Sequence, residues 1–380
     1  MGARVAATAH RKLDNRNGPA GPTPVTDGTN VYVFFADYGL LSCDMNGKER
    51  WHVPLGPFNN LYGMGASPVL VGDVVVLACD QNTDSFIIAV AQRDGRMRWK
   101  TPRPRSAQRP LDADPLHTAG RADADPRARF VPVDLLRGQQ REKLWWVGGL
   151  SFEMKSTPVV NGDTLYINGF GTPQNQPGSH PTIEPWTEIA RQCADSSGKV
   201  MLAKLPNPNA RSWVDLDANG EITSGEWDYY KAAMASDNGL LAIKLGGRGD
   251  MTETNVRWKY HKSVPQLPSP LLYHNVLYMV NDGGIVTALN PDTGAEMGQG
   301  RLKGAIDHYY ASPVAGDGKI FMLSETGKVA VLPPGGSLEP VAVNDLGDDI
   351  YATPAISDGR IYMRTRGWLS ALGCAEIAGS

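Results

Sequence analysis

The chain has 380 residues, 41% of them hydrophobic and 20% charged, with a formal net charge of -3. No basic excess points to nucleic acid or an anionic membrane, and no apolar run approaches the length of a membrane span. Gly (42) and Pro (28) are both abundant, which favours many turns and short strands over long helices.

Residues 1–20 ("MGARVAATAHRKLDNRNG" and the two that follow) lack the apolar centre of a signal peptide and carry no strand pattern. From residue 21 one pattern recurs. A small residue or two precedes a proline, two or three apolar residues follow, then a Gly/Asp/Asn turn, then an alternating strand. It reads "GPTPVTDGTNVYVFF", "ASPVLVGDVVVLA", "STPVVNGDTLYING", "PSPLLYHNVLYMV", "ASPVAGDGKIFML" and "ATPAISDGRIYMR", with prolines at Pro24, Pro68, Pro158, Pro270, Pro313 and Pro354. A third strand often follows ("GLLSCD", "GIVTALN", "WLSALG"), then a Trp-bearing strand ("KERWHV", "GRMRWK", "EKLWWV", "NVRWKY"). A period near 44 residues holding about four short strands is the signature of β-propeller blades. One such sheet alone leaves an apolar face exposed, and stacking on a neighbour covers it, with Trp suited to the layer between. The predicted fold class is therefore all-β, a propeller of four-stranded blades. Propeller residues are expected at 21–169 and 237–373, with a tail at 374–380.

Pro68 and Pro158 are 90 residues apart, two periods, so a seventh blade start is expected near residue 113. The residues there, "ADPLHTAGRADADPRARFVPVDLL", have no apolar period. Correct length with wrong residues is what a reading-frame slip produces. A shifted reading across Arg109–Glu142 permits Ser-Thr-Pro at the expected place, two apolar strands and a Ser-Gly turn. Residues 105–141 are accordingly expected to be out of frame and to form no blade. The blade opening at Pro354 has no Trp strand after it, so the chain reads as truncated and eight blades are expected in the full protein.

Pro158 and Pro270 are 112 residues apart, which places an insertion at residues 170–236. Within it "DLDANGEITSGE", Asp215–Glu226, matches the twelve-residue EF-hand calcium loop at every defined position. Asp215, Asp217 and Asn219 supply side-chain oxygens at positions 1, 3 and 5, and Gly220 permits the sharp turn at 6. Glu221 offers its carbonyl at 7, Thr223 can act through water, and Glu226 closes the shell with two carboxylate oxygens. Ca2+ is a hard cation needing six to eight oxygens, and this spacing wraps them about one point. "EWDYYKAAMA" continues as an amphipathic helix. The same loop without metal would be an acidic cap on that helix. Upstream, "CADSSGKVMLAK" (Cys193–Lys204) has Gly198 at position 6 and Val200 at position 8, but neither terminal carboxylate. It reads as a degenerate partner loop that braces the intact one.

The blades resemble the pyrroloquinoline-quinone-like (PQQ-like) propeller repeat, through the Ser/Thr-Pro starts, the Trp strands and "GGIVTALNPDTGAEM" (Gly283–Met297). The resemblance covers nearly all of the chain outside residues 105–141 and 170–236. The family holds quinoprotein dehydrogenases and also cofactor-free scaffolds. Its dehydrogenases typically carry an adjacent Cys-Cys pair at the quinone and a catalytic Asp beside a cofactor-bound calcium. Here Cys43, Cys79, Cys193 and Cys374 are scattered, and "AIDHYY" and "VNDLGDDIY" read as turns. "DHYYASP" is expected to serve packing and turn, with a ligand-facing rim of a propeller face as the alternative, and Arg248-Gly249-Asp250 is expected in a turn. The expectation is a non-catalytic scaffold or binding protein, with a protein partner or small ligand on a propeller face and Ca2+ in the inserted loop. The alternative is a PQQ-dependent alcohol or sugar dehydrogenase. The resemblance implies export to the periplasm or cell surface.

Overall fold

The computed structural model describes residues 21–36, 38–58, 60, 63–81, 84–102, 145–151, 155–211 and 213–373. The stretch expected to be out of frame, 105–141, lies outside the described residues, as does the start expected near residue 113. The remaining six starts each open an antiparallel sheet, so six blades stand among the described residues where seven starts were counted.

The chain divides into two compact units. The first holds two four-stranded blades and residues 182–232 of the insertion. Its first blade is β1 (Val25–Thr26), β2 (Asn30–Phe35), β3 (Gly39–Asp44) and β4 (Glu49–Val53). Its second is β5 (Val69–Val71), β6 (Val74–Cys79), β7 (Phe86–Ala91) and β8 (Met97–Pro102). The layer between them is built from alternate residues of facing strands: Tyr32, Phe34, Leu40, Trp51, Val75, Leu77, Ile88 and Val90 are all buried.

The second unit begins with the two-residue strand β9 (Trp145–Trp146). The third blade is formed by β10 (Val159–Asn161), β11 (Thr164–Gly169), β14 (Gly239–Lys244) and β16 (Val256–Tyr260), with β12 (Val200–Met201) and β13 (Glu221–Ile222) inside the insertion. The fourth blade is β17 (Leu271–Tyr273), β18 (Val276–Val280), β19 (Ile285–Leu289) and β20 (Glu296–Arg301). The fifth is β21 (Val314–Gly316), β22 (Lys319–Leu323), β23 (Lys328–Leu332) and β24 (Ala342–Asp345). The last has three strands, β25 (Ala355–Ser357), β26 (Arg360–Arg364) and β27 (Leu369–Gly373). Two expectations are corrected. Of "EKLWWVGGL", expected as an outer blade strand, the described residues 145–150 are extended only at Trp145–Trp146, which pairs in parallel with β15 (Gly249–Asp250). The Arg-Gly-Asp tripeptide thus ends in a short strand rather than a turn.

The Ser or Thr before each blade proline has a specific use. A proline forces the preceding residue into an extended conformation, so its amide and hydroxyl point sideways. Thr23 N donates to Ser67 Oγ (2.9 Å) in the first unit. In the second, Thr157 N donates to Ser269 Oγ (2.8 Å), Ser269 N to Ser312 Oγ (2.9 Å) and Ser312 N to Thr353 Oγ1 (3.0 Å). Within each unit, each blade is thereby latched to the next. The Trp strands are fixed in a second way. Trp51 Nε1 donates to Gln92 O (2.8 Å) and Trp258 Nε1 to Pro291 O (3.0 Å), both in the following blade. Gly95 and Gly294, each with φ near +70°, lie flat on those indoles, where a Cβ would stand 2.8 and 2.6 Å from ring atoms.

Candidate metal centre

The insertion leaves the third blade between β11 and β14. Its neck is closed by a buried asparagine network. Asn175 Nδ2 donates to the carbonyls of Ala233, Met234 and Ser236 (2.9, 3.2 and 2.7 Å), and its Oδ1 accepts from Thr172 N (2.9 Å). Asn238 Oδ1 accepts from Gly171 N (2.7 Å), and His180 pairs with Asp237 (2.8 Å). Beyond the neck come α1 (Trp186–Cys193), a 3₁₀ turn (Leu202–Lys204), the four-residue α2 (Pro208–Arg211) and α3 (Ser224–Met234). Trp227, Tyr230, Ala233 and Met234 recur every three or four residues along α3 and are buried, as the amphipathic reading expected. Trp227 Nε1 donates to Glu184 O (2.8 Å).

Oxygens of Asp215, Asp217 and Glu226 lie within 4.8 Å of one another. The loop's own amides organise them. Asp215 accepts from Asn219 N (3.2 Å) and Gly220 N (3.0 Å), and Asp217 accepts from Asn219 Nδ2 (2.8 Å). Gly220 has φ +81°, the left-handed turn that its loop position requires. Glu226 is 8% exposed, and its carboxylate bridges the two ends of the loop. Oε1 accepts from Leu216 N (2.9 Å), and Oε2 from Thr223 N and Oγ1 (2.9 Å each). Glu226 N returns a bond to Thr223 Oγ1 (3.2 Å), which completes a capping box for α3.

Glu221 stands apart. Its side chain turns to Lys199 Nζ (2.5 Å), so only its backbone carbonyl remains for the role expected of it. The degenerate loop comes directly against the intact one: Val200 pairs with Ile222, and Met201 with Glu221, through β12 and β13. Asp195 holds that loop's turn through Ser197 N (2.8 Å) and Lys199 N (3.1 Å). Sequence reasoning missed Lys199, Asp195 and the capping role of Thr223. The last was readable as Thr-x-x-Glu ahead of an apolar helix.

The loops before the fourth-to-sixth blades include the other candidate rim. Asp307 accepts from Thr326 N (2.9 Å) and Thr326 Oγ1, and Asp348 from Gly367 N (2.8 Å). His308 Nδ1 bonds Asp282 O (3.0 Å). These acids fasten the strand-to-strand turns of their own blades, as the turn reading expected. Tyr310 stacks on Tyr351 at 5.5 Å, and Tyr351 donates to Glu325 (2.9 Å).

Repeated antiparallel blades with Ser/Thr-Pro starts define a β-propeller fold. The family model described as "Outer membrane protein assembly factor BamB" matches residues 6–167. Among solved structures, the chain resembles BamB from Moraxella catarrhalis at 12% identity and TM-score 0.45, covering 89% of this chain and 79% of that one. It also resembles a europium-containing methanol dehydrogenase at 11% identity and TM-score 0.46, covering 90% and 72%. A computationally designed protein, Ika8, matches at 8% identity and TM-score 0.41, covering 93% and 70%. No curated protein matches the chain. No helix among the described residues is long and apolar enough to cross a membrane.

Proposed function

We propose that the protein is a non-catalytic PQQ-like propeller scaffold that binds a partner and carries one Ca2+ in its insertion, in the periplasm or at the cell surface. Asp215, Asp217, Asn219, the Glu221 carbonyl and Glu226 are the ligands. The observation that carries this reading is the convergence of Asp215, Asp217 and Glu226 oxygens at loop positions 1, 3 and 12 on a turn braced by Val200 and Ile222. Three carboxylates and neutral oxygens make a hard donor set that suits Ca2+ better than a softer metal. A pyrroloquinoline quinone is not assigned. The vicinal cysteines are missing from the sequence, and Asp307 and Asp348 are engaged by their own turns.

Calorimetric titration is expected to give one Ca2+ per chain, with binding lost in Glu226→Ala. Added quinone should give no bound absorption band and no turnover of alcohols or sugars. An unchanged calcium isotherm in Glu226→Ala sinks the metal assignment. Stoichiometric quinone binding with turnover replaces the scaffold by a dehydrogenase.

A further inference from the structure

The insertion holds two loops of equal length, and they differ in charge at the seventh position. In the calcium loop that residue is Glu221, and in the degenerate loop, Cys193–Lys204, it is Lys199. The two side chains meet, with Lys199 Nζ 2.5 Å from Glu221 Oε1. Met201 is the direct partner of Glu221, and the two-residue alternation of a strand puts Lys199 on the same side as Met201. Lys199 and Glu221 are therefore diagonal neighbours across the β12–β13 pair. Val200 and Ile222 face the other way and are 1% and 4% exposed.

The backbones of the two seventh residues are used differently. Lys199 O accepts from Asp195 N (2.8 Å), and Lys199 N donates to Asp195 Oδ1 (3.1 Å). The degenerate loop thus consumes the carbonyl that a metal would need, and Asp195 fixes the direction from which the Lys199 side chain leaves. Glu221 is placed otherwise. Leu202 N donates to Gly220 O (2.9 Å), and bonded pairs alternate along an antiparallel ladder. Val200 with Ile222 is then the next bonded pair, and Glu221 falls between the two. Its amide donates to Asn219 Oδ1 (2.6 Å). Its carbonyl is left outside the ladder and takes its direction from the residue's own dihedral angles. A tethered side chain restricts those angles, because side chain and carbonyl turn about the same Cα.

We propose that Lys199 is a positioning residue for the calcium loop: its ammonium holds the Glu221 side chain across the strand pair and thereby keeps the Glu221 carbonyl turned to the cation. The degenerate loop contributes an ammonium in place of a second metal site, and calcium affinity is set from a loop that holds none of the ligands. The proposal rests on the calcium reading above. A charge effect alone acts in the opposite direction. Lys199 puts a positive charge beside a site of three carboxylates, and that charge repels an incoming Ca2+. Exchanging the lysine for glutamate separates the two accounts by sign. Simple electrostatics tightens binding, and lost positioning weakens it.

The test is calorimetric titration of the full chain with Ca2+. Lys199→Glu sets two carboxylates against each other across the strand pair and should weaken binding about fivefold. Adding Glu221→Lys restores the pair in reversed order at the parent's net charge, and affinity should return to within about twofold of the parent. Lys199→Arg keeps the charge and should bind as the parent does. Recovery in the double variant shows that the loss in the single one is not misfolding. Binding by Lys199→Glu as tight as the parent's, or tighter, overturns the proposal and leaves the calcium site standing. A double variant as weak as Lys199→Glu does the same. A parent chain that takes up no Ca2+ removes the site itself and the proposal with it.

Discussion

Glu226 shows how much one residue can be asked to do. Its carboxylate ties Leu216 to Thr223 and caps α3, quite apart from any ion. Loss of the cap alone is expected to cost about 1 kcal/mol. The calcium loop was legible in sequence because its ligands lie within twelve consecutive residues. Lys199 was not, because its bond to Glu221 joins positions 22 residues apart. Asp307 supplies the residue-scale prediction for pH. Burial pushes its carboxyl up, but hydrogen bonds from the Thr326 hydroxyl and amide, Ser324 and the His308 amide outweigh it and hold the pKa at about 2. A depressed folded pKa contributes stability above the ordinary value of 3.8, which is lost as pH falls towards 2. Asp307→Asn keeps an acceptor and removes the charge. In urea unfolding it should be less stable than the parent at pH 7, with the gap closing between pH 4 and 2. A gap that stays constant across that range refutes the account.

At the scale of the element, strands and blade starts were legible because period-two alternation and Pro/Gly punctuation are local signals. The reason for Ser or Thr before each proline was not, since the hydroxyl's partner lies a whole blade away. Ser312 accepts from Ser269 and donates to Thr353, so it is a middle member of the latch series. Ser312→Ala leaves the partly buried Ser269 amide without its acceptor and should cost about 1 kcal/mol. Ser312→Thr should melt like the parent in calorimetry. If alanine is as good as threonine there, the latch carries no energy. The glycine turns give a sharper comparison. Gly318 and Gly294 both have positive φ, but an added Cβ meets nothing at Gly318 and meets Trp258 at Gly294. Gly318→Ala should show only backbone strain, roughly 1 kcal/mol. Gly294→Ala adds the displaced indole and should be clearly worse, with a changed Trp258 environment in near-ultraviolet circular dichroism. Equal losses at the two sites count against the indole being seated by the turn.

At the scale of the whole molecule, what matters is the one period between β8 and β10 whose residues do not read as a blade. The second blade was built to be followed. Trp99 lies opposite Ala89 as Trp51 lies opposite Ser42, but Trp99 is only half-buried, whereas Trp51 is 9% exposed. Trp51 reaches that state because Gly95 and the Gln92 carbonyl of the next blade cover it. Among the described residues Trp99 has no such acceptor. Arg and Asp side chains of the kind that fill residues 113–136 cannot enter an apolar inter-blade layer without large desolvation costs. Re-reading codons 105–141 in the alternative frame should therefore supply the cover. The re-read protein is expected to unfold at higher temperature, in a steeper transition, and with Trp99 fluorescence shifted to the blue. Trp99→Phe in both proteins assigns that shift. If the re-read chain melts no higher and its fluorescence matches the original, the residues as written already complete the blade and the frame argument fails.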